Sequence, residues 1–323
     1  MKRVVSLMFL FFVLVAVYFL YVVDALFWKR QSIKVGTNFW HGYEILYLAR
    51  SLGHLPDNVK LVEFNTTSEV KRSYRNGLIN AMALTIDEAL RLLADGHQIR
   101  VIMVFDISEG ADVVIARENI EDPQDLKGKR IGVEQTALGA YMLYRFLENK
   151  GLKQEDVEVK VLELHEHYNA FVKGDVDLVI TFEPEKSKIL KEGGHVIFSS
   201  RDIPGEIVDV LVVDVSLTKQ VEALKGLLDG YFRAYEYYDK NRGMAYTMMS
   251  RRLGLTPEEI AKSFDGVRLP DFLENKKMLL SDIMKNNIER ICDAMKSKNM
   301  LSKDLNCSVL LDEKIVRRLY EAN

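Results

Sequence analysis

Acidic side chains recur where predicted strands meet loops. The seven carboxylates at these positions are Glu44, Asp87, Asp106, Glu134, Glu183, Glu206 and Asp209. A single carboxylate beside a strand more often caps a helix or faces water. Several that converge on one cleft would favour a cationic or amine-bearing ligand, because the cleft would concentrate negative potential. We therefore expect an acidic ligand cleft, with capping or solvated carboxylates as the alternative.

Aromatic residues stand next to the first of these carboxylates. Trp40 and Tyr43 follow the first predicted strand and could form a pocket wall, and Glu44 could hold an amine. In the alternative, Trp40 fills the core and the charge of Glu44 favours a helix N-terminus. We expect Trp40 to line the cleft, because ligands of open parallel sheets bind beyond the carboxyl ends of the strands.

Amide and hydroxyl side chains follow the second predicted strand. Asn65 and Thr66 precede a predicted helix, and Glu69 follows Thr66 at the spacing of a capping box. Free N–H groups and hydroxyls at such a place suit an anion or a polar ligand. A plain helix cap would use the same residues, so both interpretations remain open.

The sequence holds no motif of a catalytic or metal site. It has no nucleophile elbow, Walker A loop or zincin helix. His165 and His167 lack a third ligand at a metal-binding spacing, so we expect a solvent-facing cluster there. We predict no catalytic residue, no metal and no cofactor.

The elements that position these residues alternate along the chain. Apolar runs such as Ala81–Thr85, Val113–Ala116 and Arg130–Val133 predict strands, and the segments between such runs have helical spacing. The alternation is too long for one sheet and predicts two α/β lobes with mainly parallel, doubly wound sheets. No linker separates them, which indicates a hinge of paired strands. From about residue 219 onward the chain is predicted to be almost entirely helical.

Composition narrows the class of protein. The chain has 323 residues, with 44 Lys and Arg against 47 Asp and Glu. The formal net charge of −3 provides no basic field, so nucleic acid is not an expected partner. The two cysteines, Cys292 and Cys307, fit no zinc spacing, and the sequence leaves open whether they form a disulfide.

The N-terminus predicts a membrane anchor or signal segment over residues 1–31. Lys2 and Arg3 precede an uncharged run over residues 4–23. About twenty helical residues span roughly 30 Å, the hydrocarbon thickness of a bilayer. This length favours an uncleaved anchor over a secretory signal, although cleavage near residues 23–25 stays open. The basic start places the N-terminus in the cytoplasm and the body of the chain outside it.

Several stretches resemble a known family. TIDEA at residues 85–89, DLKGKRIGV at 125–133, and GDVD at 174–177 leading to TFEP at 181–184 are similar to substrate-binding proteins of nitrate/taurine/sulfonate-type ABC transporters. That group also includes the binders of thiamine-pyrimidine precursors. The resemblance covers nearly everything after the N-terminal segment. It implies the type II periplasmic-binding fold, in which two hinged α/β lobes close on a ligand.

The resemblance also implies a set of site residues. Carried over by position, the ligand-binding residues are Trp40, Tyr43, Glu44, Asn65, Thr66, Thr85, Asp87, Glu134, Thr136, Ala137, Thr181 and Glu183. The strand-end carboxylates Asp106 and Asp209 complete the predicted site. Sulfonate and nitrate binders of the family tend to present hydroxyl and amide donors, whereas this chain presents Trp40 and several carboxylates. The departure favours an amine or a nitrogen heterocycle, with a sulfonate-, taurine- or nitrate-type solute as the alternative.

These observations predict an extracytoplasmic solute-binding protein that delivers a small molecule to the permease and ATPase subunits of an ABC importer. We expect a monomer held at the membrane by its N-terminal helix. Its first lobe would comprise residues 32–110 and 210–323, including the C-terminal helices, and its second lobe residues 111–209. A membrane-tethered sensing domain and an enzyme on the same scaffold are the alternatives, and no nucleophile–base pair supports the enzyme.

Overall fold

A computed structural model describes residues 13–19, 32–118, 120 and 122–321. The predicted anchor or signal segment, residues 1–31, lies outside these ranges except for residues 13–19, which are helical and are called α1. Among the described residues, no helix has the length and apolar character needed to cross a bilayer.

Two β-sheets organise the chain. The first has six strands in the order β11-β4-β10-β3-β1-β2. Its strands are β1 (Ile33–Thr37), β2 (Val59–Glu63), β3 (Ala81–Thr85), β4 (Ile99–Ser108), β10 (Val208–Asp214) and β11 (Val267–Arg268). We call this sheet and the helices packed on it lobe 1. It combines strands from two separate parts of the chain.

The second sheet has five strands in the order β7-β6-β8-β5-β9. Its strands are β5 (Val113–Ala116), β6 (Arg130–Val133), β7 (Glu158–Val161), β8 (Leu178–Thr181) and β9 (His195–Ser199). We call this sheet and its helices lobe 2. All its strands come from one continuous part of the chain.

Helices cover both sheets, as the alternating sequence pattern predicts. In chain order, those after α1 are α2 (Glu44–Ser51), α3 (Thr67–Arg75), α4 (Ile86–Ala94), α5 (Ala137–Asn149), α6 (His167–Lys173), α7 (Glu185–Lys191), α8 (Val221–Lys240), α9 (Arg242–Leu253), α10 (Pro257–Ser263), α11 (Phe272–Leu280), α12 (Asp282–Ser297) and α13 (Glu313–Tyr320). Because helices shield the faces of the sheets, central strands such as β3 are buried at every residue.

The expectation of mainly parallel sheets is met only in part. Strands β1, β2 and β3 pair in parallel, as do β6, β7 and β8. Strand β10 instead runs antiparallel to both β3 and β4, and β5 runs antiparallel to both β8 and β9. These reversals occur where the chain crosses between the lobes, because a returning strand enters its sheet from the opposite end.

Two crossover segments join the lobes and are tied together by buried serines. Ser108 at the end of β4 and Ser200 after β9 lie with their hydroxyl oxygens 2.7 Å apart. The main-chain N–H of Gly110 also donates to Ser200 Oγ at 2.7 Å, and that of Ser200 donates to the carbonyl of Asp112 at 2.9 Å. Both serine side chains are fully buried. The hinge is thus a paired structure, as the absence of a linker predicts.

The helical C-terminal part packs on lobe 1 and completes it. Asn275 of α11 accepts a hydrogen bond from the Val104 N–H at 2.7 Å and donates one to the Val104 carbonyl at 3.0 Å. This side chain therefore provides hydrogen-bond partners for the main chain of β4 at Val104, beyond the end of the two-residue strand β11. Cys292 and Cys307 form a disulfide, which answers the question that their spacing leaves open.

Candidate functional site

A small chamber lies between the lobes, at the carboxyl ends of the parallel strands. Its volume is about 30 Å³. Its walls are Asn38, Trp40, Tyr43, Thr67, Leu84, Thr85, Glu88, Asp112, Glu134, Thr136, Leu138, Phe182 and Asp209. We call it the inner chamber. Both lobes contribute to it, as the strand-end rule predicts for a ligand site in this class of fold.

Trp40 forms a wall of the inner chamber and connects the two lobes. The indole Nε1 donates a hydrogen bond to Asp106 Oδ2 at 3.0 Å. The ring meets Phe182 of lobe 2 edge to face, with centroids 5.6 Å apart. Gly42 makes this arrangement possible, since a Cβ atom at that position would overlap both Asp106 Oδ2 and Trp40 Nε1.

Two buried aspartates stand beside this tryptophan. Asp106 on β4 and Asp209 on β10 are direct partners in the antiparallel ladder, and their side chains are 0% and 4% exposed. The Tyr43 hydroxyl donates a hydrogen bond to Asp209 Oδ1. Burial raises the pKa of Asp106 to about 7, and burial together with the charge of Asp106 raises the pKa of Asp209 well above its usual range.

Three further carboxyl groups lie near this pair, of which Asp112 and Glu134 line the inner chamber and Asp87 does not. Burial raises the pKa of Asp112 to about 6, that of Glu134 to about 7 and that of Asp87 to about 8. Asp87 is 1% exposed, and neither of its carboxylate oxygens has a hydrogen-bond partner among the described residues. Asp106 Oδ1 also lacks one. Buried acceptors without donors are costly, so these oxygens favour a group that brings N–H or O–H donors or a positive charge.

Glu88 is a chamber carboxylate that lies outside the predicted set of site residues. It lies in the first turn of α4 and is 1% exposed. One carboxylate oxygen pairs with Lys71, and the other accepts the N–H of Ala137 at 2.5 Å and of Leu138 at 3.3 Å. A carboxylate of lobe 1 thus sits on the N-terminus of helix α5 of lobe 2. The predicted site residue Ala137 takes part through its main chain.

The ionisable side chains on the walls of the inner chamber are acidic. Four carboxylates line it, and its walls include no Lys, Arg or His within the described part of the chain. Lys71 is paired with Glu88, and the ammonium of Lys186 donates to the Gly110 carbonyl at 2.9 Å. This arrangement suits a cation with hydrogen-bond donors, and a chamber of this composition would repel a free anion.

A larger opening, the outer cleft, adjoins the inner chamber on the far side of Trp40. It has a volume of about 770 Å³ and lies between the loops after β1 and β2 and the lobe 2 residues around 163–165 and 184–188. Asn65 and Thr66 lie on its wall. Thr66 caps helix α3 by accepting the N–H of Glu69 at 3.2 Å, so the helix-cap alternative holds for this residue.

Glu44 lies in the outer cleft and has a partner within the protein. It forms an ion pair with Arg252 of α9, whose Nε lies 3.0 Å from Glu44 Oε2. Arg252 also pairs with Glu63, at 2.7 Å. This triad joins α2, β2 and α9 within lobe 1. The structure therefore places Glu44 in a structural ion pair instead of leaving its carboxylate free for an amine.

Two predicted strand-end carboxylates of lobe 2, Glu183 and Glu206, have partners within the same lobe. Glu183 accepts the Ser187 N–H at 3.1 Å and the Ser187 hydroxyl at 2.9 Å, which caps α7. The other strand-end acid, Glu206, pairs with Arg145 at 2.8 Å and accepts the Tyr141 hydroxyl at 2.7 Å. Neither residue lines the inner chamber.

The hydroxyl groups of the predicted site divide into two sets. Thr85 at the end of β3 and Thr136, the N-cap of α5, both line the inner chamber. Thr181 is fully buried behind it, and its Oγ1 lies 3.0 Å from Nδ1 of His167. His167 is thus a core residue, whereas His165 is exposed, so the expected solvent-facing cluster holds for His165 only. Among the described residues, no group of three or more His, Cys, Asp or Glu side chains is arranged so that it could hold a metal ion.

Of the predicted site residues, the structure brings Trp40, Tyr43, Thr85, Glu134, Thr136 and Asp209 together on the walls of one chamber. Asp106 joins them through its bond to Trp40. Sequence reasoning missed Glu88, Asp112 and Phe182. Asp112 lies in the loop after β4, six residues beyond Asp106, and Phe182 lies within the TFEP stretch, so position offered a signal for both. Glu88 offered none, because a glutamate in a first helical turn is ordinary.

The chain is similar in sequence to known proteins. A family model described as NMT1/THI5 like matches residues 43–242. An aliphatic sulfonates-binding protein of Escherichia coli (strain K12) is 25% identical over 158 residues, which span 48% of this chain and about half of that relative's length, 50%. That relative is named for binding aliphatic sulfonates.

Solved structures share the fold. The periplasmic aliphatic sulphonate binding protein of Escherichia coli superposes with a TM-score of 0.73 at 18% identity, covering 87% of this chain and 92% of that one. The alkanesulfonate-binding protein of Xanthomonas axonopodis pv. citri, bound to MOPS, gives a TM-score of 0.71 at 17% identity, covering 87% and 96%. The chain therefore has the two-lobed α/β fold of periplasmic binding proteins.

Proposed function

Since the chain belongs to the NMT1/THI5-like family, we propose that it is an extracytoplasmic solute-binding protein that captures a small amine-bearing cation between its lobes. The solute is passed to the permease and ATPase subunits of an ABC importer. The binding-protein relatives and the shared fold support this class over an enzyme.

The observation that carries the ligand class is the buried acidic cluster. Asp106, Asp209 and Asp112 lie within a few residues of the hinge and are each at most 4% exposed. Their raised pKa values reflect the free-energy cost of burying several negative charges without a compensating cation. A bound ammonium or protonated heterocycle would supply that charge and the missing hydrogen-bond donors at once.

The aromatic side chains support the same class of ligand. Trp40, Tyr43 and Phe182 line the inner chamber together with the carboxylates. Cations and flat nitrogen heterocycles bind favourably against aromatic faces, at about 0.5–2 kcal/mol each. The relative named for sulfonate binding takes an anion, whereas the described walls of this chamber carry four carboxylates and no cationic side chain that would offset their repulsion of an anion.

Binding would close the lobes by hinge motion. Contacts that span the cleft, namely Trp40 with Phe182 and Glu88 with the start of α5, exist only when the lobes are together. A ligand that binds the closed form better shifts the equilibrium toward it. The closed form then presents one continuous surface to a permease. We propose for this motion the predicted boundaries, residues 32–110 and 210–323 for lobe 1 and 111–209 for lobe 2, except that Val208 and Asp209 belong to β10 and move with lobe 1.

The proposed location is outside the cytoplasm, with the N-terminal segment holding a monomer at the membrane. The uncharged run over residues 4–23 supports the attachment. The disulfide between Cys292 and Cys307 supports an oxidising compartment, since such bonds are rare in the cytosol.

A ligand screen tests the proposal. The full-length chain in a mild detergent is heated with primary amines, aminopyrimidines, taurine, alkanesulfonates or nitrate, and the melting temperature is recorded. A ligand at about 100 times its Kd adds roughly 2.7 kcal/mol to the free energy of unfolding. We expect amines or aminopyrimidines to raise the melting temperature. A rise with sulfonates or nitrate alone would contradict the cationic ligand and leave the transport class standing.

A further inference from the structure

Glu88 bridges the two lobes in an unusual place. Its side chain leaves α4 of lobe 1, and its carboxylate accepts two successive main-chain N–H groups of α5 in lobe 2. Its second oxygen pairs with Lys71 of α3. The group is almost completely buried and lines the inner chamber.

The place that the carboxylate occupies has the chemistry of an anion site. The first N–H groups of a helix have no partner within the helix and carry a partial positive charge. Helix α5 is 13 residues long, and Lys71 adds a full positive charge beside its start. A sulfonate, phosphate or carboxylate would be held well by these three donors. In this protein the anion is already present as a side chain.

We infer that Glu88 is a specificity-determining residue whose carboxylate fills the anion-binding position at the start of α5 and so excludes anionic solutes from the cleft. This inference rests on the proposed role of the cleft as the ligand site. Glu88 also leaves the carboxylates around Trp40 as the part of the chamber open to a ligand, which restricts the ligand to cations.

An alternative role for Glu88, as a contact that only holds the lobes together, leads to a different expectation. If Glu88 only latched the lobes together, its removal would weaken closure and the binding of every ligand, with no gain for anions. If Glu88 determines specificity, its removal should increase the affinity for anions. Glu88→Ala leaves the N–H groups of Ala137 and Leu138 and the ammonium of Lys71 without an anionic partner.

The test measures methanesulfonate binding to full-length Glu88→Ala and wild-type protein by calorimetric titration in detergent, at low ionic strength. The titration is done at pH 6, where the neighbouring Glu134 is mostly protonated and repels an anion least. We expect no measurable binding by the wild type and at least a tenfold higher affinity for the variant. Glu88→Gln, which keeps the shape without the charge, should give a smaller gain and replaces Glu88→Ala if that variant does not fold.

Asp177→Ala is the matched control. Asp177 likewise accepts a main-chain N–H, that of Arg130 at 2.9 Å, and pairs with a cation, but it lies before β8 and away from the chamber. It should not gain methanesulfonate binding. Equal binding of methanesulfonate by wild type and Glu88→Ala, or none by either, overturns the inference. Neither result depends on whether the wild type binds amines, so the proposed function is judged separately.

Discussion

Asp106 and Asp209 face each other across the antiparallel strands β4 and β10, one from each crossover of the chain between the lobes. Directly opposed residues of such a pair have Cβ atoms about 4.5–5.5 Å apart. Trp40 donates to one carboxyl and Tyr43 to the other, and both carboxyls are buried. Like charges at opposed positions destabilise a sheet, and burial raises the pKa of both carboxyls, so the proposed cationic ligand would bind here with release of protons.

Replacing Asp209 with Asn should separate stability from binding. The amide keeps an oxygen for the Tyr43 hydroxyl and removes one negative charge, so the free energy of unfolding at pH 8 should rise by about 1–3 kcal/mol. Affinity for the best amine of the ligand screen should fall by about 10- to 100-fold, since a hydrogen bond to a charged group contributes roughly 1.5–3 kcal/mol. Thermal unfolding and calorimetric titration measure the two effects.

Asp57→Asn serves as the control for this substitution, because Asp57 is exposed and lies outside the chamber. It should change neither quantity. A less stable Asp209→Asn protein with unchanged amine affinity would show that the aspartate pair is structural and is not part of the ligand site.

Gly42→Ala should disrupt the ligand site without touching any polar group. A methyl group at this position overlaps Asp106 Oδ2 and Trp40 Nε1, so the loop after β1 must move and the hydrogen bond between them is lost. We expect amine affinity to drop at least about tenfold, in line with the loss of one charged hydrogen bond. Tryptophan fluorescence should shift to longer wavelength as Trp40 becomes more exposed to solvent. Gly243→Ala, in open space at the start of α9, should leave both readouts unchanged.

The stability of the ligand-free protein should fall as the pH rises from about 6.5 to 8.5. Asp106, Glu134 and Asp87 have folded-state pKa values of about 7, 7 and 8, all above their values in an unfolded chain. The protonated carboxyls stabilise the folded protein. This contribution is complete when the pH is below the pKa of the unfolded chain, and it is lost as the pH rises through the pKa of the folded protein. His41 and His167, whose pKa values burial lowers to about 4, act in the opposite sense but only below about 6.5.

Amine binding should have the reverse dependence on pH. A bound cation favours the ionised carboxylates, so binding releases protons and affinity rises between pH 6 and 8. Calorimetric titrations in buffers with different enthalpies of ionisation count the protons released. Proton uptake on binding, or melting temperatures of the ligand-free protein that rise between pH 6.5 and 8.5, would contradict the assignment of these carboxyls to the site.

Removal of the disulfide should lower stability without altering binding. Cys292 and Cys307 close a loop of 15 residues, a length for which the lost chain entropy corresponds to about 3 kcal/mol. The double Cys→Ala variant should therefore unfold in less denaturant, with the affinity for amines retained. Reducing agent should destabilise the wild type and leave the variant unaffected. An unchanged denaturation midpoint would mean that the bond carries little of the stability of the C-terminal helices.

The sequence predicted the position of the cleft better than its chemistry. Trp40, Thr85 and Asp209 follow or begin strands, and a strand end is a local property that periodicity reveals. Glu44 and Glu88 are both glutamates in a first helical turn, and nothing local distinguishes them. Glu44 is paired with Arg252, 208 positions away, whereas Glu88 reaches across to the other lobe. Only the folded chain decides which carboxylate is neutralised.

The antiparallel direction of strand β10 escaped prediction for a similar reason. Val208–Asp214 has the apolar run of any buried strand, and its direction depends on where the chain re-enters lobe 1. The short strand β11 was also not predicted, because two residues carry no periodicity. The hydrogen bonds of Asn275 to β4 were not predicted either, because an isolated asparagine does not indicate its partner.

The placement of β10 between β3 and β4 has a consequence for how the protein is made. Synthesis proceeds from the N-terminus, so all five strands of lobe 2 leave the ribosome before the central strand of lobe 1 exists. A nascent chain that ends before residue 208 holds a complete five-stranded sheet beside an open gap flanked by β3 and β4. Lobe 2 can therefore mature first, while the exposed edges of β3 and β4 are open to wrong pairing and need protection until β10 arrives. The inner chamber, whose wall includes Asp209 of that strand, is completed only when β10 arrives.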